Sequence, residues 1–484
     1  MTTQKIGVLF TDNITSERYH VLTESSIERD VLEHDRRADG EIYVFLYNWM
    51  CIKDIDALWV HPDCQLSIWL SRRDFHLIKG LEWFSPYEQQ KDNSVVKPYG
   101  IRLQNKYIFF PAYGEYVRAK HHNDNGDTYG RTRESHTWVL PVAQELYNTV
   151  DYIQRAIDMP FLWTPGSTSM RVLREENRNK IILPFKPTPL WDTVQGRMVA
   201  RPIWQHRTRD GKKGLTDEQK KKKYIIGYDK NSQYLGACIN LMLCNGKPIE
   251  VGSKEFSPFL IHGQVAMWEY KLEDVSQSAF NGYELYCPLS VHDDWASTEL
   301  LEFARSVGIK FSIKRGMVWK GEMGRYMTEW ALRLYRGRQK IQDASLGLDT
   351  IAATNAAMTV KKMYLDTIGR LCADYSDEYY HKDWNRFIIH KAITNQGYTI
   401  WKRVREHGLI PYSHVLVIND SFYILSDSDN TSIAYPDILA HTKELRGYTC
   451  IGVAPLNEEI ISSFETQRPM ELENTIKRNM GVNK

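Results

Sequence analysis

Apolar positions along this chain fall into runs of two kinds. Short continuous runs rich in β-branched and aromatic residues read as buried strands: Ile6 to Phe10, Ile42 to Tyr47, Tyr107 to Tyr113, Tyr224 to Tyr228, Ile309 to Ile313, Val415 to Ile418 and Phe422 to Leu425. Longer runs spaced by three and four read as helices. Trp138 to Asp158 carries Val142, Leu146, Val150 and Ile153 at that spacing and is too long for a strand. Gly321 to Ile341 and Thr350 to Leu371 are two long helices with a short break around Gly347, most simply an antiparallel helical hairpin. Ser297 or Thr298 starts a helix that faces Leu300, Leu301 and Ala304 inward and stops at Gly308. Phe387 to Gly408 is largely helical. Asn419-Asp420-Ser421 joins two apolar runs and predicts a hairpin turn.

Polar and proline-rich stretches divide the chain. Lys120 to Ser135 reads as a surface loop, and Pro160, Pro165, Pro184, Pro187 and Pro189 place a boundary within Pro160 to Pro202. The expected division is an α/β lobe over 1–159, then segments 160–320, 321–372 and 373–484. About 60 residues follow the hairpin, which leaves little to build there.

At 484 residues the chain holds two to four domains or one multi-lobed enzyme. A net charge of +2 selects no partner by itself, so any nucleic-acid contact depends on a local patch. Seven cysteines, odd in number and without a C-x-x-C pair, argue against a disulfide framework and a zinc ribbon and favour a reducing interior. His61-Pro62-Asp63-Cys64 and His121-His122 each lack the second half of a transition-metal site. With no apolar leader at the N-terminus and no run of 18 apolar residues, the chain is expected to be cytoplasmic, with no membrane partner.

Two carboxylates carry the candidate chemistry. Asp229 ends the run Tyr224 to Tyr228, and Asp420 lies in the predicted hairpin turn. Asp229 is either a cap for the helix that follows or an oxygen ligand for a hard divalent cation. If the two strands are neighbours, both carboxylates meet at one sheet edge. That arrangement suits two Mg²⁺ ions about 3.5–4 Å apart in phosphoryl transfer. Arg333, Arg336 and Lys340 share one helical face, and Lys361 and Lys362 lie on the returning helix. These cations either form a solvated face that pairs with carboxylates, the bland reading favoured for Arg333, or neutralise a triphosphate. Lys220, Lys221, Lys222 and Lys223 read either as a solvated loop or as a DNA-phosphate rim.

The order and spacing of these residues resemble the palm and fingers of family B DNA polymerases, over about residues 160–430. The family's first motif, D-x-x-S-L-Y-P, is matched by Asp229, Ser232 and Tyr234. The second, K-x-x-x-N-S-x-Y-G, is matched by Lys361 and Gly369, with an Arg and a Lys four apart upstream at Arg336 and Lys340. The third, D-T-D-S, is matched by Asp420 and Ser421. The resemblance implies an α+β fold: a palm with an antiparallel sheet in 160–320 and 373–484, helical-hairpin fingers in 321–372, and an N-terminal α/β lobe. It implies Asp229 and Asp420 as ligands of two Mg²⁺, for which Mn²⁺ can substitute, and the backbone after Asp229 as a phosphate cradle. It implies Tyr234, with Ser232 beside it, beneath the incoming sugar, and Arg336, Lys340 and Lys361 on the triphosphate. Substrates would be primer-template DNA and deoxynucleotides, with either a nucleic-acid or a protein primer, in a phage, plasmid or other mobile-element setting at the nucleoid.

This chain departs from the family at named positions. Leu235 stands for the proline of the first motif; Leu365, Asp366 and Ile368 stand for the Asn, Ser and Tyr of the second; Ile418 stands for the first Asp of the third. No convincing D-x-E exonuclease motif is found in the first 150 residues; Tyr147-x-x-x-Asp151 has the form of a third exonuclease motif but lacks partners. The lysine-tyrosine motif after the third motif is missing. The N-terminal lobe is therefore either a template-binding module or an exonuclease fold without its ligands. The departures support an alternative expectation, a polymerase-like protein that binds DNA at replicon ends or in initiation without synthesis. A nuclease using the same carboxylates leaves the basic hairpin without a purpose.

Overall fold

The computed structural model describes residues 4–11, 18–33, 39–61, 81–84, 100–110, 139–162, 164–179, 203–206, 208, 212–256, 265–273, 289, 295–344, 350–371, 382–406, 414–432 and 447–482. The loop expected over Lys120 to Ser135 lies outside them. The fold is mixed α and β, and the chain forms two units, Met1–Glu176 with Arg333–Thr367, and Asn177–Leu332 with Ile368–Lys484.

In the first unit the described strands are β1 (Ile6–Thr11), β2 (Arg18–Leu22), β3 (Ile27–Glu33), β4 (Ala57–Val60), β5 (Leu81–Phe84), β6 (Gly100–Leu103) and β7 (Lys106–Phe109). They form one sheet in the order β3-β2-β1-β4-β7-β6-β5. β4 runs parallel to β1 and β7, so each of those connections is a crossover. The first crossover contains the helix Asp39–Ile52. This corrects the strand expected at Ile42 to Tyr47: Ile42, Tyr43, Leu46 and Met50 are buried together at helical spacing, and a short apolar run does not distinguish the two periods. The helix Val139–Ile157 packs on β1 and buries Val142, Leu146, Val150 and Ile153, as its periodicity predicts.

Parts of two further helices, Thr328–Ala344 and Thr350–Arg370, complete this unit. Asn355 Nδ2 donates to Glu145 Oε1 at 2.6 Å, and Thr367 Oγ1 to Ser169 Oγ at 2.6 Å. Gly337 allows close approach, since a Cβ there would lie 3.1 Å from Ile157 Cγ2.

The second unit contains β8 (Ile203–Gln205), β9 (Tyr224–Lys230), β10 (Leu243–Cys244), β11 (Pro248–Gly252), β12 (Ala266–Leu272), β13 (Trp295–Ser297), β14 (Phe311–Trp319), β15 (Met323–Gly324), β16 (His414–Ile418), β17 (Ser421–Ser426) and β18 (Tyr448–Pro455). Among the described residues they form an antiparallel sheet β18-β9-β17-β16-β8, a second antiparallel sheet β11-β14-β12-β13, and the small pair β10-β15. The helix Thr298–Ser306 is capped by Ser297, whose Oγ accepts from Leu300 N, and stops at Gly308 with φ +90°.

The helix Lys382–Glu406 serves both larger sheets: Ile389 and Ile393 join the core of the β11-β14-β12-β13 sheet, while Ile400 packs with Ile226, Tyr228, Val417 and Phe422. The opposite face of the five-stranded sheet is covered by the helices Glu458–Thr466 and Pro469–Asn479. Their Ile460, Phe464, Leu472 and Ile476 meet Ile225, Tyr423 and Leu425. The C-terminal residues therefore build an edge strand and a core layer, where the sequence reading expects little. Among the described residues no helix is long and apolar enough to cross a membrane.

Candidate functional site: a carboxylate pair at one sheet edge

β9 is buried along Ile225, Ile226 and Tyr228 and carries the half-buried Asp229 next to its end. Gly227 is required two residues earlier. The Tyr423 ring lies over it, and a Cβ would come within 2.8 Å of Tyr423 Cε1. β16 and β17 form a hairpin with the two-residue turn Asn419-Asp420, in which Asn419 takes φ +54°, a conformation Asn tolerates better than most residues. β17, which follows Asp420, then pairs with β9, which carries Asp229, so β9 and the second strand of the hairpin are neighbours.

The register sets residues from four strands in a row: Ile418 is opposite Ser421, Ser421 opposite Asp229, and Asp229 opposite Thr449. Directly opposed side chains share a face. The row runs from core to solvent: Ile418 is 1% exposed, Ser421 4%, Asp229 half-buried and Thr449 exposed. Ser421 Oγ donates to Asp229 Oδ1 at 3.0 Å, and Lys230 N donates to the Asp420 carbonyl at 2.8 Å. The two aspartates thus end adjacent strands at the same edge. The Tyr423 hydroxyl registers both: burial raises it most, its bond to Glu473 next, and the fields of Asp229 and Asp420 add to the shift.

Asp229 is not a helix cap. The helix Gln233–Ile239 has Ser232 at its N-cap, with φ +51° and no side-chain capping bond, while Asp229 stays in the sheet. The amides of Lys230 and Asn231 are committed to the carbonyls of Asp420 and Gly447. Tyr234 is half-buried against the core of the β11-β14-β12-β13 sheet, which includes Trp268 and Tyr270. Ser232 is buried and lies 3.4 Å by its Oγ from Asn231 Oδ1.

The predicted cations separate into used and unused groups. Arg333 is structural: it donates to Glu176 Oε1 at 2.6 Å and to the carbonyls of Ile157 and Asp158. Arg336, Lys340 and Lys361 belong to the same unit, are exposed, and among the described residues make no ion pair. Lys220 pairs with Glu465 at 3.0 Å and Lys222 with Asp427 at 2.6 Å, while Lys221 and Lys223 are exposed. This run precedes Tyr224, five residues along β9 from Asp229, or about 17 Å at the rise of a strand. The four lysines do not flank the carboxylate pair.

In the first unit, Asp151 of the Tyr147-x-x-x-Asp151 pattern pairs with Arg155 at 2.9 Å, and burial raises the Asp151 carboxyl above its ordinary value. His61 is a buried core residue whose imidazole is pushed down to about 4 by burial; Pro62 to Cys64 and His121-His122 lie outside the described residues.

The donor set fits Mg²⁺ better than a transition metal. Among the described residues no three His, Cys, Asp or Glu side chains converge on a metal position. Mg²⁺ is characteristically held by one or two carboxylates with water and substrate phosphates. Beside Asp420, Asn419 Oδ1 is buried and makes no hydrogen bond among the described residues, which adds a hard oxygen at this turn. Sequence reasoning missed Thr449 and Glu473. The apolar run Cys450 to Ala454 between Gly447 and Pro455 was the available strand signal for the first.

No protein-family model matches the chain, and no curated protein matches it. Among solved structures it is similar to Phi29 DNA polymerase complexed with single-stranded DNA, at 12% identity and a TM-score of 0.48, over 94% of this chain and 86% of that one. It is also similar to Phi29 DNA polymerase complexed with primer-template DNA and incoming nucleotide substrates, at 12% identity and a TM-score of 0.49, over 93% and 85% of the two chains.

Proposed function

We propose that the chain is a template-directed DNA polymerase of family B type, which extends a nucleic-acid 3′-hydroxyl or a protein-primer hydroxyl. The observation that carries this reading is the pairing of Ser421 with Asp229, which sets the Asp420 turn beside Asp229 at one edge of an antiparallel sheet. Two Mg²⁺ ions, or Mn²⁺ in their place, supply activation of the attacking oxygen and stabilisation of the leaving one when bound. Asp229 and Asp420 hold them, and Ser421 fixes the orientation of the Asp229 carboxylate. Tyr234, held against its core cluster, limits the room for the sugar of the incoming nucleotide. Arg336, Lys340 and Lys361 are the cations this reading assigns to the triphosphate, because among the described residues no carboxylate pairs with them. Proofreading is absent in this reading, which finds no convincing set of exonuclease carboxylates in the first 150 residues. A phage, plasmid or other mobile-element setting, in the cytoplasm at the nucleoid, completes it.

Primer extension with Mg²⁺ or Mn²⁺ tests the reading. The native chain extends, and Asp229→Ala and Asp420→Ala each abolish extension while the fold, followed by circular dichroism, is kept. Extension that survives either substitution overturns the assignment. A second reading, a polymerase-like protein that binds DNA at replicon ends or in initiation without synthesis, is favoured by Ile418, which removes a carboxylate from the row and buries the position. DNA binding without extension by the native chain selects it.

A further inference from the structure

The C-terminal strand β18 supplies the solvent side of the carboxylate row. Its register is held at three places: the Asn231 amide donates to the Gly447 carbonyl at 2.8 Å, the Lys230 ammonium lies 5.4 Å from the centre of the Tyr448 ring, and Thr449 stands opposite Asp229. Opposed residues in an antiparallel pair have Cα atoms about 4.5–5.5 Å apart, so the Thr449 side chain is the immediate neighbour of the Asp229 carboxylate.

Asp229 therefore has a hydroxyl residue on each side. Ser421 is buried, and its hydroxyl is spent on the carboxylate. Thr449 is exposed, and among the described residues its hydroxyl makes no hydrogen bond to the protein. The strand propensity of threonine would be met equally by valine. The free hydroxyl is the feature that backbone preference leaves unexplained.

We infer that Thr449 is a substrate-binding residue whose hydroxyl donates to a phosphate oxygen of the bound substrate, an assignment that rests on the metal-site reading of Asp229 and Asp420. A neutral donor is the suitable chemistry beside that pair. A second carboxylate would repel phosphate, and a lysine or arginine would pair with Asp229 and compete with a cation for it. A hydroxyl does neither. The phosphate is either the primer-terminal phosphodiester or the triphosphate of the incoming nucleotide, which share this acceptor chemistry.

Thr449→Val, isosteric and strand-favouring, separates the contact from folding, and Thr449→Ser is the rescue. Both are measured in Ca²⁺, so that binding is read without chemistry: primer-template affinity by fluorescence anisotropy, and deoxynucleotide affinity by titration calorimetry on the primer-template complex. Thr449→Val is expected to lose about tenfold in one arm, the size of one hydrogen bond to a charged acceptor, and Thr449→Ser to recover it. The arm that moves identifies the phosphate. Both arms within about twofold of the native chain, or Thr449→Ser as weak as Thr449→Val, overturns the proposal. Mn²⁺ titration of Asp229→Asn and Asp420→Asn by electron paramagnetic resonance tests the underlying reading separately. Affinity unchanged by both substitutions removes the metal site, and the primer-template arm still decides Thr449.

Discussion

Placing a carboxylate at the start of the hairpin turn with Ile418→Asp is expected to unfold the second unit more readily than to improve its site. Ile418 is 1% exposed and belongs to the core that includes Leu416, Tyr423, Leu472 and Ile476. Losing a fully buried isoleucine costs about 3 kcal/mol in apolar burial. The new carboxyl must then lie in that cluster as a neutral acid lacking partners, which costs a further 1–3 kcal/mol or so, or ionise at a cost of several. Low dielectric raises its folded-state pKa above the unfolded value. The neutral acid is therefore the tolerated form, and the deficit deepens by about 1.4 kcal/mol per pH unit between the two pKa values. The total is about 4–6 kcal/mol below pH 4, where the acid is neutral in both states, and grows through pH 5 toward pH 8. Its cross-strand neighbour is Ser421, which already serves Asp229, so the added group is separated from Asp229 by the β17 strand. The assay is denaturant unfolding at pH 5 and pH 8, with and without Mg²⁺. A variant as stable as the native chain at pH 8, or one that Mg²⁺ restores to native stability, would refute this account of why isoleucine occupies the position.

Two further substitutions probe the supports of the site. Ser421→Ala removes the hydroxyl that donates to Asp229; Mn²⁺ affinity should fall about tenfold, as for partners that orient metal ligands, with a stability loss of about 1–2 kcal/mol. Asp383, near the start of the helix that serves both large sheets of the second unit, has a carboxyl pushed up to about 7 by burial, against which nearby backbone amides act. Because its folded value lies above its ordinary 3.8, the stability it supports is complete below that value and lost as pH rises through about 7. Asp383→Asn should therefore stabilise the chain above pH 7, by up to about 4 kcal/mol, with the gain shrinking toward pH 4. Calorimetric melts across that range check the sign, and a gain that grows on acidification contradicts it.

The parts of the fold legible in the sequence were those where one periodicity dominated. The amphipathic spacing of Val142, Leu146, Val150 and Ile153 and the Asn-Asp turn of the hairpin each leave one local solution. Ile42 to Tyr47 was ambiguous because six apolar residues satisfy either period, and tertiary burial of Tyr43, Leu46 and Met50 decides for the helix. β18 was overlooked because its partner, β9, lies more than 200 residues earlier, and no local signal announces a long-range pairing. The site was half legible for the same reason. Asp229 and Asp420 follow from strand ends, but the row Ile418, Ser421, Asp229, Thr449 exists only through register.

Register also explains how this site differs from a collection of motif residues. A carboxylate is useful to a divalent cation when it is oriented by a neighbour and open on another side. Position in the row assigns those properties: toward Ile418 the sheet is dry and fixed, toward Thr449 it is open to solvent. Asp229 lies at the crossover, with one hydroxyl fixed on its buried side and one on its exposed side that has no partner among the described residues. The cations obey a similar criterion. Arg333, Lys220 and Lys222 are held by carboxylates of their own unit, so their charge is already neutralised where it stands. Among the described residues Arg336, Lys340 and Lys361 have no such partner, and an uncompensated cation is the kind able to release counterions when it meets phosphate. Sequence spacing ranked Arg333 with Arg336 and Lys340; ion pairing separates them.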